Sequence, residues 1–292
     1  MAVWNLGSIN IDNVYRVPHF PAPGETLSAS DHSQGLGGKG ANMSVAIARA
    51  AARVSHIGAV GGDGGWTVDR LMEYGVDTRR IDRIATAATG HANISVDDQG
   101  ENQIILYPGT NRMISEDAIN SALSAAAAGD FLVMQNETNG QKLAAQTARQ
   151  LGLRVMYAAA PFDTDAVSDV LPFTDLLVLN EIEADQLQEA VGKPLDHLGV
   201  GNIVVTLGAD GCRWLDVQAG SELHVPAIPV EAVDTTGAGD TFTGYLVAGL
   251  DRGMPIQQAL TLATQAGAIM VTRHGTADVI PDLKDIEDAR LS

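Results

Sequence analysis

From Ser115 onward, short apolar runs alternate with longer mixed ones, and no other feature of the chain restricts its fold as much. A helix is expected over 115–128, because Ser115 can cap it and Glu116 and Asp117 suit its first turn. A buried strand over 131–135 follows, then a helix over 139–151 that stops at Gly152. The pattern continues with a strand over 153–157, a helix near 163–171, a strand over 175–179, a helix over 181–191 and a strand over 202–206. Strands joined by helices in this way lie parallel, through right-handed crossovers. The expected fold is therefore α/β, a doubly wound and mostly parallel sheet with helices on both faces. Two or three short strands are expected between 211 and 233, and a last long helix from about 256 to 271. Thr272-Arg273-His274-Gly275 and an acidic tail close the chain.

The first third has a different rhythm. A buried strand over 3–9 ends in Gly7-Ser8-Ile9-Asn10-Ile11-Asp12, and a helix running to about Ala52 opens at Gly35-Leu36-Gly37-Gly38-Lys39-Gly40-Ala41-Asn42. Residues 54–60 suit a strand, followed by a helix to about Tyr74. Residues 13–35 carry Pro18, Pro21, Pro23 and Gly24 without a helical period, so short β segments are expected there. Residues 91–107 alternate, turn at Asp97-Asp98-Gln99-Gly100 and return as a hairpin. These two pieces could form a small separate sheet. The length of 292 residues suits one large α/β domain or two smaller ones.

Charge and cysteine content narrow the function. A net charge of −18 argues against a nucleic-acid partner, because a polyanion would be repelled. Solubility is the simpler reason for it. Cys212 is the only cysteine and sits among apolar neighbours, so it reads as packed and no internal disulfide can form. Met1-Ala2-Val3-Trp4 enters a strand without a basic leader, and the apolar runs fall short of a membrane span. A cytoplasmic enzyme with no membrane partner is expected.

The chemistry concentrates in Asp234-Thr235-Thr236-Gly237-Ala238-Gly239-Asp240-Thr241-Phe242. The stretch reads as a turn from a strand-like run over 227–233 into a helix-like run over 242–250. Glycines there let the backbone approach a ligand, and the first helical turn offers unpaired N–H groups to an anion. A carboxylate beside an anion site repels the anion, so Asp240 suits a base that deprotonates an attacking hydroxyl. It equally suits an ordinary acid in a first helical turn, and from this stretch alone the two readings stand level. Other polar residues follow expected strands: Asn10 and Asp12, Glu137, Asn180 with Glu183, and Thr206 with Gly208. In open α/β sheets ligands sit at these carboxyl ends. Five such coincidences on one rim are hard to explain as packing. Lys39 and Asn42 could face Asn10 and Asp12, although Gly40 after Lys39 excludes a Walker-type phosphate loop.

Gly37-Gly38-Lys39-Gly40-Ala41-Asn42 and Asp234 through Phe242, at this separation, make the chain resemble the ribokinase-type carbohydrate kinases of the phosphofructokinase-B superfamily nearly end to end. Gly7-Ser8-Ile9-Asn10-Ile11-Asp12, Pro23-Gly24-Glu25-Thr26 and Gln135-Asn136-Glu137 are most similar to the ribokinases within it. The resemblance implies ATP-dependent phosphorylation of a sugar hydroxyl with Mg²⁺, D-ribose being the best single acceptor. It implies one domain over 1–292 whose β lid comes from about 13–35 and 91–107, and a homodimer clasped through that lid. Asp240 would be the base, and the N–H groups of Gly237, Ala238 and Gly239 the anion hole. Asn10, Asp12, Gly38, Lys39, Asn42 and Glu137 would hold the sugar, with Asp240 beside them. Asn180, Thr206, Gly208, Gly239, Thr264 and His274 would lie by the nucleotide. Glu183 would serve Mg²⁺ through water, and Asp234, Thr236, Met270, Arg273 and Gly275 would surround an activating K⁺.

Three departures stand out. Ala158-Ala159-Ala160-Pro161 lacks an amide the family usually carries, Thr264 or Gln265 stands where an Asn is common, and Gly109-Thr110-Asn111-Arg112 replaces a run of small residues. The alternatives are a kinase for another sugar, a sugar acid or a nucleoside, and a catalytically silent sugar-binding regulator. A dinucleotide oxidoreductase would open with Gly-x-Gly-x-x-Gly, which Gly7-Ser8-Ile9-Asn10 does not match.

Overall fold

The computed structural model describes residues 1–291, with side-chain surroundings through Ala289. In chain order the elements begin β1 (Val3–Leu6), β2 (Asn10–Arg16), β3 (Asp31–Gly37), α1 (Lys39–Arg49), β4 (Val54–Gly61), α2 (Gly65–Glu73), β5 (Asp77–Ile84), β6 (Gly90–Val96) and β7 (Asn102–Tyr107). Then come α3 (Glu116–Leu123), β8 (Phe131–Met134), α4 (Gln141–Leu151), β9 (Arg154–Ala158), α5 (Thr164–Val170), β10 (Leu176–Asn180), α6 (Glu181–Val191) and β11 (Asn202–Thr206). The chain ends with β12 (Cys212–Asp216), β13 (Ser221–Val225), α7 (Ala238–Asp251), α8 (Ile256–Met270) and α9 (Leu283–Leu291).

The large sheet has the order β13-β12-β11-β10-β9-β8-β1-β4-β5. It is parallel from β5 to β11 and antiparallel over β12 and β13. Successive strand residues face opposite sides, so each central strand feeds two cores. Phe131 and Val133 pack with α1, α7 and α8, while Leu132 and Met134 pack with α3 to α6. The chain winds outward from β1 through β4 and β5 on one side and through β8 to β11 on the other. That reversal opens a crevice at the carboxyl ends of β1 and β8, where ligands bind in such folds. The small sheet, β3-β2-β6-β7, grows from the end of β1 and contains the two expected β pieces.

Five boundaries depart from the sequence expectation. The strand expected over 227–233 is absent: Pro226 and Pro229 have no N–H to donate, and Ile228, Val230 and Val233 are exposed. Asp240 therefore follows an irregular segment and not a strand end. The helix expected over 115–128 stops at Leu123, since the Asp130 carboxylate accepts the N–H of Ala127 and Ala2 and turns the chain into β8. The strand expected over 3–9 breaks after Leu6, where Gly7 touches α1. Strand β5 was hidden by its charge, because an edge strand tolerates Arg79, Arg80, Asp82 and Arg83. The acidic tail contains α9, entered through reciprocal bonds between Asp282 and Asp285 and anchored by buried Ile286. Among the described residues no helix is long and apolar enough to cross a membrane.

Candidate active site

Helix α7 begins at Ala238 because Gly237, with φ of 74°, turns the backbone into it. The N–H of Ala238 donates to Thr235 (3.3 Å), whereas those of Gly237 and Gly239 meet no protein acceptor among the described residues. Those free donors, at the positive end of a helix, suit an anion. Asp240 lies in the first turn and is buried, and its carboxylate accepts the Asn42 amide at 2.9 Å. Burial pushes the Asp240 carboxyl up; Lys39 and Asn42 pull it down only in part, and Glu137 adds to the rise. Lys39 is held above its ordinary value chiefly by the Asp240 carboxylate, against burial, with help from Glu137 and Glu183. The two groups thus line one cavity, where the Asp240 charge favours the protonated Lys39.

That cavity, of about 320 Å³, joins Lys39, Gly237, Gly239 and Asp240 to Asn180, Glu183 and Thr206 on the β10 and β11 ends. Asn180 and Glu183 form a capping box: each side chain accepts the other's backbone N–H, at 2.8 and 2.9 Å. Burial raises the Glu183 carboxyl, against the Asn180 N–H and Lys39. Ala158 and Ala160 line the same cavity with methyl groups.

A second cavity, of about 160 Å³, lies on the small-sheet side and is lined by Asn10, Asn111, Arg112 and Glu137, with Leu106 of β7 on its wall. Glu137 accepts the hydroxyl of Ser8 and the N–H of Lys39 (3.1 Å), which fastens the β8 end to the start of α1. Asp12 stands nearby, pushed up to about 7 by burial and then by Glu137. Its carboxylate lies against Gly37, where a Cβ would sit 2.0 Å from an Asp12 oxygen. Gly38 has φ of 93°, and a Cβ on Gly40 would lie 2.4 Å from Gly7 Cα, so only glycines allow this approach of β1 to α1. Behind it, Asn5 bonds Gly40 O (2.7 Å) and Ser44 (2.8 Å) and accepts from Gln135 (2.9 Å). His56, lowered to about 4 by burial, bridges Ser44 and Gly7 O as a neutral ring.

The sequence-derived set thus gathers around two adjoining cavities, with exceptions. Thr264 is buried within α8, its hydroxyl bonded to Leu260 O (2.8 Å) and packed near Cys212, and it lines neither cavity. Asp12, Gly38, Asn42, Ala238, Asp234, Arg273, Gly208, His274 and Gly275 lie outside both linings as well, Asn42 being tied to the larger cavity through its bond to Asp240. Met270 instead backs Gly237, its methyl 3.3 Å from where a Cβ would stand. Asp234 accepts the N–H of Thr236 (2.9 Å) and Gly275 (3.2 Å); these bonds and His274 lower its carboxyl despite burial. The Arg273 guanidinium faces away, donating to Val279 O and Asp285. Residues missed as participants are Ser8, Asn5, Gln135 and His56. Their only sequence signal is polarity inside otherwise apolar strands.

Comparison with known proteins places this geometry. The family described as "pfkB family carbohydrate kinase" matches residues 3–283. The chain is 36% identical to the ribokinase of Haemophilus influenzae over 291 residues, covering 94% of each chain. The crystal structure of ribokinase from Thermotoga maritima superposes with a TM-score of 0.88 at 30% identity, over 100% of both chains. Arabidopsis thaliana ribokinase complexed with ribose and ATP does so with a TM-score of 0.86 at 27% identity, covering 99% of this chain and 98% of that one. With its fold, its rim of carboxyl-end side chains and this match over nearly its whole length, the chain belongs to the pfkB family of carbohydrate kinases.

Proposed function

We propose that the enzyme transfers the γ-phosphoryl group of ATP to D-ribose, giving ribose 5-phosphate and ADP. The observation that carries this reading is Asp240, a buried carboxylate that accepts the Asn42 amide on the wall of the larger cavity, beside the N–H groups of Gly237 and Gly239, which meet no protein acceptor among the described residues. Asp240 accepts the proton of the sugar hydroxyl as its oxygen bonds to the γ-phosphorus, and the bond to the ADP oxygen breaks. The N–H groups of Gly237 and Gly239 meet the charge on the transferring group, and that of Ala238 joins them once its long bond to Thr235 opens. A base and a fixed donor set are what phosphoryl transfer asks of a protein.

Asn10, Asp12, Gly38, Lys39, Asn42 and Glu137 hold the sugar, since every side chain among them is polar. Asn180, Thr206, Gly208, Gly239, Thr264 and His274 form the nucleotide side, with Thr264 acting only through packing. Glu183 suits Mg²⁺ through water, because its capping bond occupies one carboxylate oxygen and leaves the other. Mg²⁺ would neutralise phosphate charge there. For K⁺, Asp234 meets the backbone of Thr236 and Gly275 by accepting both N–H groups, and Met270, whose carbonyl accepts the Arg273 N–H, ends the helix that leads into this segment. Arg273 would contribute there only through its backbone, given where its guanidinium points.

The small sheet acts as a lid on a single domain. Its edge strand β7 exposes Ile104, Ile105, Leu106 and Tyr107, which suits a homodimer clasped lid to lid. A cytoplasmic site of action follows from the use of ATP. The test is ADP release with Mg·ATP and K⁺ against pentoses, hexoses, sugar acids and nucleosides. Turnover strongest with ribose is expected. Turnover confined to another acceptor would overturn the substrate, and none with any would overturn the kinase reading in favour of a sugar-binding regulator.

A further inference from the structure

We propose that the turn at 109–112 is a positioning element that sets Asn10 and Glu137 for the sugar, with Asn111 and Arg112 as its two working residues. This rests on the reading above that Asn10 and Glu137 bind the sugar. Asn111 is buried, and its amide does two things at once. Its oxygen accepts the N–H of Ile9 at 2.9 Å, and its Nδ2 donates to Asn10 Oδ1 at 2.7 Å. The first bond fixes which end of the Asn111 amide is the donor, and the second then fixes Asn10. With its oxygen turned to Asn111, Asn10 directs its NH₂ group to the cavity. A sugar hydroxyl arriving there meets the donor end of the amide first.

The space for this pair is reserved by a glycine. A Cβ on Gly90 would lie 2.1 Å from Asn111 Nδ2 and 2.5 Å from Asn10 Oδ1. The turn itself is pinned to the large sheet, since Thr110 donates its N–H to Ala88 O (3.1 Å) and its hydroxyl to Ala59 O (2.9 Å).

Arg112 sets the other group. Its guanidinium donates to Asn136 O at 3.2 Å and to Thr138 O at 2.6 Å, the carbonyls on either side of Glu137. Asn139 extends the tie through its side chain to both backbone groups of Ile114. A forked guanidinium spans two carbonyls with two separate nitrogens in a fixed geometry. The turn therefore braces both walls of the smaller cavity before any sugar is present.

The test is steady-state kinetics of the full-length enzyme with ribose and ATP varied separately. Asn111→Asp keeps the acceptor for Ile9 and removes the donor to Asn10, so Asn10 must turn its NH₂ away from the cavity. A rise in sugar KM of about tenfold or more is expected, with ATP KM and kcat at saturating sugar within about twofold. Gly90→Ala should do the same by displacing the bond. Because both sites are buried, Arg112→Met at an exposed position carries the test independently, and Arg112→Lys should recover part of its loss. Asn10→Ala is the control. If Asn10→Ala raises sugar KM while the folded Asn111 and Arg112 variants leave it unchanged, the positioning role is wrong. If Asn10→Ala itself leaves sugar KM unchanged, the sugar-binding reading falls first. A loss of kcat and ATP affinity equal to the loss of sugar affinity would show a general structural role and overturn the proposal.

Discussion

The two cavities are built in opposite ways. The larger cavity, read above as the phosphate side, takes its free N–H donors and its buried carboxylate from one contiguous stretch, in which Gly237 turns the chain, α7 begins and Asp240 lands in the first turn, while residues of α1, β9, β10, α6 and β11 complete its wall. The smaller cavity, proposed above as the sugar side, is assembled from β2, the start of α1, the 109–112 turn and the end of β8, held by bonds across 98 to 129 residues of sequence. A backbone-made site depends on local conformation and is compact in sequence. A site made of side chains from four segments depends on their bracing, so its specificity can be retuned without touching the chemistry.

Breaking the phosphate side should have the largest effect. Asp240→Asn removes the proposed base while keeping the shape, and kcat should fall by about 10²–10⁴. Sugar binding, followed by calorimetry, should survive. Near-normal turnover would remove Asp240 from the role of base.

A steric wedge between the two sides comes next. Gly40→Ala drives a Cβ into the Gly7 backbone and should cost about 1–3 kcal/mol by denaturant unfolding, raising sugar KM more than ATP KM. Equal effects on both would mean that the approach of β1 to α1 serves the whole site and not the sugar side.

The pH dependence sharpens the comparison further. Asp12 titrates at about 7 in the folded chain, above its ordinary 3.8, because of burial and Glu137. The native state therefore holds this proton where the unfolded chain has lost it. Stability from this group is fully present below about 4 and is lost as pH rises through about 7. Sugar affinity should move oppositely, rising over that upper range as the carboxylate becomes an acceptor. Asp12→Asn should flatten both curves in thermal melts and sugar titrations, and a wild-type slope retained in the variant would assign the titration elsewhere.

The smallest effect is expected at Thr264. Its hydroxyl is satisfied within α8, so Thr264→Ala should leave ATP KM within about twofold and cost about 1 kcal/mol. A larger change in ATP KM would extend the nucleotide site into α8.

The same contrast governs what could be read beforehand. Helix α6 appeared at its expected bounds of 181–191, because its start carries the Asn180–Glu183 capping signal and its end a glycine. The start of α7 was less legible: the helix-like run was expected over 242–250 and begins at Ala238, and the run before it was misjudged. The 227–233 segment is apolar enough for a strand, but its prolines and exposure leave it unpaired. Strand β5 escaped for the converse reason, since pairing with β4 holds a charged sequence extended. Asn111 stood in a stretch noted only for departing from a family habit. Its bond to Asn10 spans 101 residues and has no local signature.

The sequence by itself determined the α/β alternation, the glycine positions that permit close approach and the carboxylate at the head of α7, because each follows from local periodicity or backbone freedom. Tertiary structure alone decided that Asp240 is buried against Asn42, that Asp12 is pushed up to about 7 and that Asn10 is bonded through its oxygen to Asn111. Each of those depends on desolvation or on a partner distant in sequence, and neither is a property of a residue until the chain has closed around it.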